Sequence, residues 1–245
     1  MDDTKQFLDE RKNRIASYPE KKKLFESGQT FLLESLAENY SYNFNWLGMP
    51  IIQYPQDIVA IQEILWETRP DTIVETGVAR GGSLIFYASL LEMIGIDGMV
   101  FGIDIDIRKH NRIRIEQHPL SHRIRLIENS SIEQSTINKV RKFIGSGKKV
   151  MVSLDSNHTH EHVLKELELY CPLVSIGCYC VVFDTVVEDM KAGSFPDRPW
   201  DKGNNPRTAV NEFLKYNDSF VLDDQIEKKL IITAAPGGYL RKIKK

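Results

Sequence analysis

The chain has 245 residues, with 32 Lys plus Arg against 34 Asp plus Glu and a formal net charge of -2. So even a balance disfavours nucleic acid or an anionic membrane as principal partner, since both demand a basic face. No apolar run approaches the ~20 residues that cross a bilayer, the opening Met-Asp-Asp-Thr-Lys-Gln lacks a signal-peptide layout, and Cys171, Cys178 and Cys180 are too few and too crowded for a disulfide framework, so a cytoplasmic chain without membrane insertion is expected.

The first forty residues read as charged helix. Phe7, Ile15, Leu24, Phe31, Leu32 and Leu36 recur at loosely helical spacing, and Pro19 and Ser27-Gly28 punctuate them. A polar-aromatic loop from Tyr40 to Pro55 follows, then a helix from about Gln56-Asp57 to Thr68 with Ile58, Ile61 and Leu65 on its apolar face. Residues 1–70 are thus expected as a helical extension with a substrate-side loop, suited to a cap or a homo-oligomer contact. From residue 71 strands alternate with helices. The strands are expected at Thr72–Glu75, Met99–Asp104, Ile124–Ile127, Val150–Asp155 and Cys178–Asp184, and the helices at 82–94, 108–117, 131–143 and 160–170. That alternation predicts a Rossmann-like α/β domain over 71–245, its parallel sheet covered on both faces. An irregular Pro/Gly/Asn-rich stretch runs to Pro206, then a helix at about 207–216 and strand-like segments Ser219–Leu222, Leu230–Thr233 and Tyr239–Ile243. So long a loop inside a compact domain reads as a lid or binding loop.

The chemistry concentrates at strand ends. Glu75-Thr-Gly-Val-Ala-Arg-Gly-Gly-Ser83 follows the first strand and opens a helix. Its Gly77, Arg80, Gly81, Gly82 and Ser83 form a turn of the cofactor-binding kind, and the helix N-terminus offers free N–H groups. Asp104 closes the next strand, where a carboxylate accepts from ribose hydroxyls. A dinucleotide fingerprint requires G-x-G-x-x-G; here an acid precedes the first glycine, repelling a pyrophosphate and favouring a cationic amino group. S-adenosylmethionine (SAM) carries that group, so SAM is preferred to NAD. The competing reading of the same glycines is that they merely pack helix on strand.

Strand four ends Ser153-Leu-Asp-Ser-Asn-His-Thr-His-Glu-His162, and strand five ends Phe183-Asp184-Thr185. Asp155 and Asp184 then share a rim and suit a hard divalent cation such as Mg²⁺. His158 is placed to take a proton from a substrate hydroxyl, with a purely structural role as its alternative. A sharper rival combines Asp155 with two of His158, His160 and His162 in an Fe(II) oxygenase site. It is disfavoured because His160 and His162 alternate at a helix start and do not share a face. A third reading is a non-catalytic SAM-binding module.

From about Gly48 onward the chain resembles the family called cephalosporin hydroxylase or rhamnosyl O-methyltransferase. The resemblance is carried by Gln-Tyr-Pro-Gln-Asp (53–57), the 75–83 turn, Gly102-Ile-Asp-Ile-Asp106, Leu154-Asp-Ser-Asn-His158 with His162-Val, Val182-Phe-Asp-Thr185, Arg198-Pro-Trp, Gly203-Asn-Asn-Pro206 and Gly238-Tyr-Leu240. It implies a class I SAM-dependent methyltransferase with a seven-stranded sheet whose last strand is antiparallel. It further implies Asp155 and Asp184 as metal ligands, Asp155 within the catalytic and cofactor site, His158 as general base, and Ser130 and Ser131 as adenine-side contacts. The implied reaction is O-methylation of a sugar or similar hydroxylated small molecule. Phe183 departs from the family, which carries Glu there; Thr185, Glu188 and Asp189 are the nearby groups that could complete a cation's shell. Loop 190–206 and the aromatics Tyr42, Trp46 and Tyr54 are expected as acceptor walls.

Overall fold

The computed structural model describes residues 2–245; Met1, the first residue of the expected extension, lies outside them. Helices α1 (Asp3–Ser17) and α2 (Lys22–Ala37) open the chain. A small antiparallel pair, β1 (Phe44–Trp46) and β2 (Met49–Ile51), leads into α3 (Pro55–Thr68), which starts with its proline in the first turn. Then come β3 (Thr72–Thr76), α4 (Gly82–Ile94), β4 (Met99–Asp104), α5 (Lys109–Glu116), β5 (Ile124–Glu128), α6 (Gln134–Ile144), β6 (Val150–Leu154), α7 (His160–Tyr170) and β7 (Tyr179–Val182). The chain closes with α8 (Pro206–Tyr216), β8 (Phe220–Leu222), α9 (Asp224–Leu230) and β9 (Tyr239–Lys242).

Seven strands form one sheet in the order β5-β4-β3-β6-β7-β9-β8. The five from β5 to β7 are parallel, and β9 runs antiparallel to both its neighbours. The expected seven-stranded architecture with an antiparallel last strand is therefore present. Strand side chains alternate between two cores. Ile73, Val100, Met151 and Val181 face a cluster with α3 and α4, while Val74, Phe101, Val152 and Cys180 face one with α6, α7 and α8. Burial on both faces is why the strands read as continuous apolar runs. Cys171, Cys178 and Cys180 are free and buried within this packing.

Parallel register sets the site. Thr76 lies opposite both Ile103 and Leu154, and Leu154 opposite Val182. The residues that follow these strands emerge on one rim, and the strand order switches sides between the parallel neighbours β3 and β6, where such sheets bind ligands.

Two local expectations are corrected. Ser27-Gly28 does not punctuate a helix: α2 runs through it, and Gly28 is buried where an added Cβ would lie 2.7 Å from Ile231 Cγ2. The glycine marks a close approach, not a break. Leu230–Thr233 is not a strand. Asp223 caps α9 by accepting from Gln225 N–H, the helix ends at Leu230, and Ile231 turns out of it at φ 66°. The apolar run is a helix end and a left-handed exit. Thr233 Oγ1, Ala234 N–H and Tyr239 Oη then all donate to Asp57 of α3, tying the two ends of the chain together around a carboxylate that burial raises to about 6.

Candidate active site

Glu75, the penultimate residue of β3, is fully buried. Its Oε2 accepts from Ser83 Oγ at 2.7 Å, in the first turn of α4, while Oε1 has no partner. Burial, with the Asp104 charge adding to it and the Ser83 hydroxyl opposing it, pushes this carboxyl up to about 8. A buried acid with one oxygen unsatisfied is costly unless a donor arrives. The ammonium of a methionine moiety is a donor of the right sign, so the residues fit SAM here.

The turn after Glu75 is braced by the chain itself. Asp104 Oδ2 accepts from Val78 N–H at 2.8 Å and Ala79 N–H at 3.3 Å, and Oδ1 accepts from Asp106 N–H at 3.1 Å. Asn111 Nδ2, from α5, donates to the Ala79 carbonyl at 2.8 Å. Asp104, expected as the ribose contact, thus holds the turn. Two glycines are explained by close packing. Gly77, at φ 90°, lies where a Cβ would be 1.9 Å from the Asp155 carbonyl oxygen, and a Cβ on Gly82 would be 2.2 Å from the Pro50 carbonyl oxygen. The helix-on-strand reading therefore holds at Gly82, in the first turn of α4 against β2, whereas Gly77 lies where the loop after β3 meets the loop after β6, its N–H donating to the Ile103 carbonyl at 2.7 Å. Gly81 is covered by Ile115 and Met49, and Arg80 is exposed. Gly82→Ala overlaps backbone, which cannot swing away as a side chain can. The expected destabilisation is about 1–3 kcal/mol, a fall of roughly 2–12 °C in Tm for a chain of this size, read by thermal denaturation.

Asp155, His158 and Asp184 converge. Each offers one ligand atom, and these atoms lie within 4.8 Å of one another. His158 Nε2 is 3.2 Å from Asp184 Oδ2. Asp184 sits in the left-handed region at φ 54°, which turns the chain sharply where β7 ends. Burial first, and the Asp184 charge second, hold the Asp155 carboxyl well above the usual carboxylate range. Two carboxylates and an imidazole are donors that fit a divalent cation, which would relieve that repulsion. The three downstream groups do not complete the set. Glu188 accepts from Gly203 N–H and Asn205 Nδ2, Asp189 pairs with Arg207, and the Thr185 hydroxyl donates to the Pro236 carbonyl. Phe183 is buried among the β-sheet side chains.

The other histidines turn away. His160 contacts Thr208 Oγ1 at 2.8 Å and Glu212 at 3.2 Å, pinning α7 to α8. His162 contacts Ser131 Oγ at 3.0 Å and Glu166 at 3.4 Å. The 2-His-1-carboxylate arrangement is not assembled. Ser131 is buried, its carbonyl accepting from Tyr170 Oη, and the neighbouring Ser130 carbonyl accepts from Thr136 Oγ1.

Among the expected walls, Tyr54 is buried with its hydroxyl 2.8 Å from Ser35 Oγ, and Trp46 donates to Ser89 Oγ while standing edge-on to Phe86. Tyr54 is a core residue and Trp46 is half-buried against the core, each with its polar tip on a helix; Tyr42 remains exposed. The 190–206 loop does reach the site. Trp200 meets His158 edge-to-face at 4.8 Å, and the Arg198 guanidinium lies 5.2 Å over the Trp200 ring. Residue-by-residue reading missed Asn111 and the His158–Trp200 contact; neither lies on a periodic face, and only the Arg198-Pro-Trp match hinted at the second.

The family model described as Rhamnosyl O-methyltransferase/CmcI matches residues 38–243. A Rhamnosyl O-methyltransferase of Mycobacterium bovis (strain BCG / Pasteur 1173P2) is 27% identical over 226 residues, covering 89% of this chain and 87% of the relative. The namesake protein of Mycobacterium leprae (strain TN) is 28% identical over 218 residues, covering 84% and 90%. Among solved structures, CmcI with Mg and SAM superposes with a TM-score of 0.60 at 21% identity, over 83% of this chain and 78% of that one. CalS11, a TDP-rhamnose 3'-O-methyltransferase of calicheamicin biosynthesis, superposes at 0.53 and 14% identity, over 93% and 96%. These superpositions speak to the fold; the match across 38–243 speaks to kinship, and by it the chain belongs to the Rhamnosyl O-methyltransferase/CmcI family.

Proposed function

We propose that this chain is a SAM-dependent O-methyltransferase acting on a hydroxyl of a rhamnose-like sugar, with a divalent cation assisting. The observation that carries the reading is one rim bearing both a buried, half-unpartnered acid at Glu75 and the converged Asp155, His158 and Asp184. The names of the mycobacterial relatives support the sugar acceptor, and the CmcI and CalS11 structures agree in fold.

When bound, SAM would supply a sulfonium-activated methyl group and a divalent cation such as Mg²⁺ would supply positive charge. The remaining work belongs to side chains of this chain. Glu75 would hold the ammonium, Asp104 the ribose, and Ser130 and Ser131 the adenine side. Asp155 and Asp184 would hold the cation. His158 Nε2 lies 3.2 Å from Asp184 Oδ2, so the tautomer with its proton on Nε2 leaves the Nδ1 lone pair to take the acceptor's proton, and Trp200, set perpendicular to the ring at 4.8 Å, limits its rotation. Positioning and electrostatics dominate such a transfer, since the methyl group is already reactive. One observation favours a second reading of His158: one of its ring nitrogens lies within 4.8 Å of the Asp155 and Asp184 ligand atoms, so the imidazole can occupy the place of the family's missing carboxylate at 183. Nitrogen hyperfine coupling to bound Mn²⁺, lost in His158→Gln, would assign it as a ligand; no coupling leaves it as the base.

The direct test is incubation with SAM and a panel of rhamnosides and other sugars, following transfer of one methyl group to the sugar by mass spectrometry. Tight SAM binding with no transfer to any hydroxylated acceptor would reduce the chain to a binding module. EDTA is expected to abolish transfer and added Mg²⁺ to restore it; activity indifferent to EDTA removes the cation from the scheme. Among the described residues no helix is long and apolar enough to cross a membrane. Helix α1 buries none of its residues and leaves Phe7 and Leu8 exposed, which supports a self-association face that sedimentation velocity would read.

A further inference from the structure

Gln53 is 4% exposed, and neither its Nε2 nor its Oε1 has a hydrogen-bond partner. Native proteins seldom leave both ends of a buried amide unsatisfied. Its place in the chain says what it serves. Just before it, the Pro50 carbonyl and Ile51 Cα lie against Gly82, within 2.7 Å of where a Cβ there would be, so the segment is laid across the first turn of α4. That helix has thirteen residues and starts with no side-chain cap. Its second residue, Ser83, donates to Glu75, whose other oxygen is also unpartnered. Just after Gln53, Tyr54 and Asp57 lie near enough to Asp184 to feel its charge. Gln53 therefore sits on a stretch of chain that passes from the α4 N-terminus toward the strand-end carboxylates.

We propose that Gln53 reads the methionine end of the methyl donor. Its Nε2–H donates to the amino-acid carboxylate, which rests on the uncapped α4 N-terminus, while Glu75 takes the neighbouring ammonium. The two orphaned groups then match the two charges of an α-amino acid, one donor and one acceptor. An uncapped helix start adds N–H groups and a positive dipole end for the carboxylate. A sugar hydroxyl would also satisfy an amide, but the acceptor side is marked by His158 and Trp200, whereas Gln53 follows the segment packed on Gly82. The proposal rests on the SAM reading of the rim.

The test compares S-adenosylhomocysteine, which has the amino-acid end, with methylthioadenosine, which lacks it, by calorimetric titration of the full chain. Gln53→Leu is expected to weaken S-adenosylhomocysteine by about tenfold or more, a free-energy loss of about 1.4 kcal/mol, and to leave methylthioadenosine within twofold. Because the leucine removes unpartnered polar atoms, the Tm of the ligand-free variant should equal or exceed that of the parent. Gln53→Glu, which keeps the shape and adds a repelling charge, should weaken S-adenosylhomocysteine further still and again spare methylthioadenosine. Equal loss of both ligands, or unchanged S-adenosylhomocysteine affinity with a raised acceptor KM, would overturn the assignment. A parent chain that fails to bind S-adenosylhomocysteine would overturn the SAM reading itself, a result separable from the failure of Gln53 alone.

Discussion

His158→Ala is expected to lower kcat for methyl transfer by about two to four powers of ten, the usual contribution of a positioned general base, while S-adenosylhomocysteine affinity stays within twofold of the parent. The separation follows from geometry. His158 meets Asp184 at 3.2 Å and Trp200 at 4.8 Å, whereas the amino-acid end of the donor is assigned to Glu75 and the α4 N-terminus. Trp200 loses its ring contact in the variant, and any stability loss is separable in readout: Tm reports it, and kcat at saturating donor does not. Turnover surviving at more than about a tenth of the parent rate would make His158 a structural residue, since a base contributes at least ~100-fold.

Glu75→Gln is the second large effect. Removing one partner of a buried, hydrogen-bonded charge pair costs about 2–5 kcal/mol, so S-adenosylhomocysteine affinity should fall roughly 30-fold to several thousandfold. The ligand-free protein should lose little and can gain, because a neutral amide replaces an acid that burial pushes up to about 8. The sign of the pH dependence is fixed by the same shift. From the ordinary value of 4.5 up to about 8, the folded chain holds a proton that the unfolded chain releases, so this group's contribution to stability is full below 4.5 and is lost as pH rises through 8. Ligand binding runs the other way. An ammonium beside Glu75 requires the carboxylate, so affinity should rise by up to about tenfold per pH unit on approaching pH 8 and level off above it. In Glu75→Gln that slope should vanish. A slope that persists in the variant would assign the linkage to another group.

Much of the fold was legible because it is written in local patterns. Apolar β-branched runs at β3, β4 and β6 and the helices between them came within a few residues of the observed bounds. Gly-rich turns follow local chemistry too. Where local pattern failed, a distant contact had overridden it. Ser27-Gly28 looks like a break, but a glycine within a helix is equally a place for a neighbour to come close, and the neighbour is Ile231, far along the chain. Leu230-Ile231-Ile232 has the composition of a strand, yet Asp223 starts a helix before it and Asp57 receives Thr233 after it. Trp46 and Tyr54 carry the aromatic faces expected of sugar walls; instead Ser35 holds the Tyr54 hydroxyl within the core and Ser89 holds the half-buried Trp46 indole against it.

By itself the sequence determined the α/β class and the strand ends on which Glu75, Asp104, Asp155 and Asp184 fall, because each depends on periodicity or on the residue types of one short segment. Tertiary structure alone decided which of those groups meet. His158, not Glu188 or Asp189, joins Asp155 and Asp184; Asp104 braces the turn; Gln53 is sealed without a partner; and Trp200 arrives from the loop to face His158. The reason is physical. A strand's periodicity places its last residue on a rim, but parallel register between strands tens of residues apart, and the path of a loop with no periodicity at all, set the distances at which charges act.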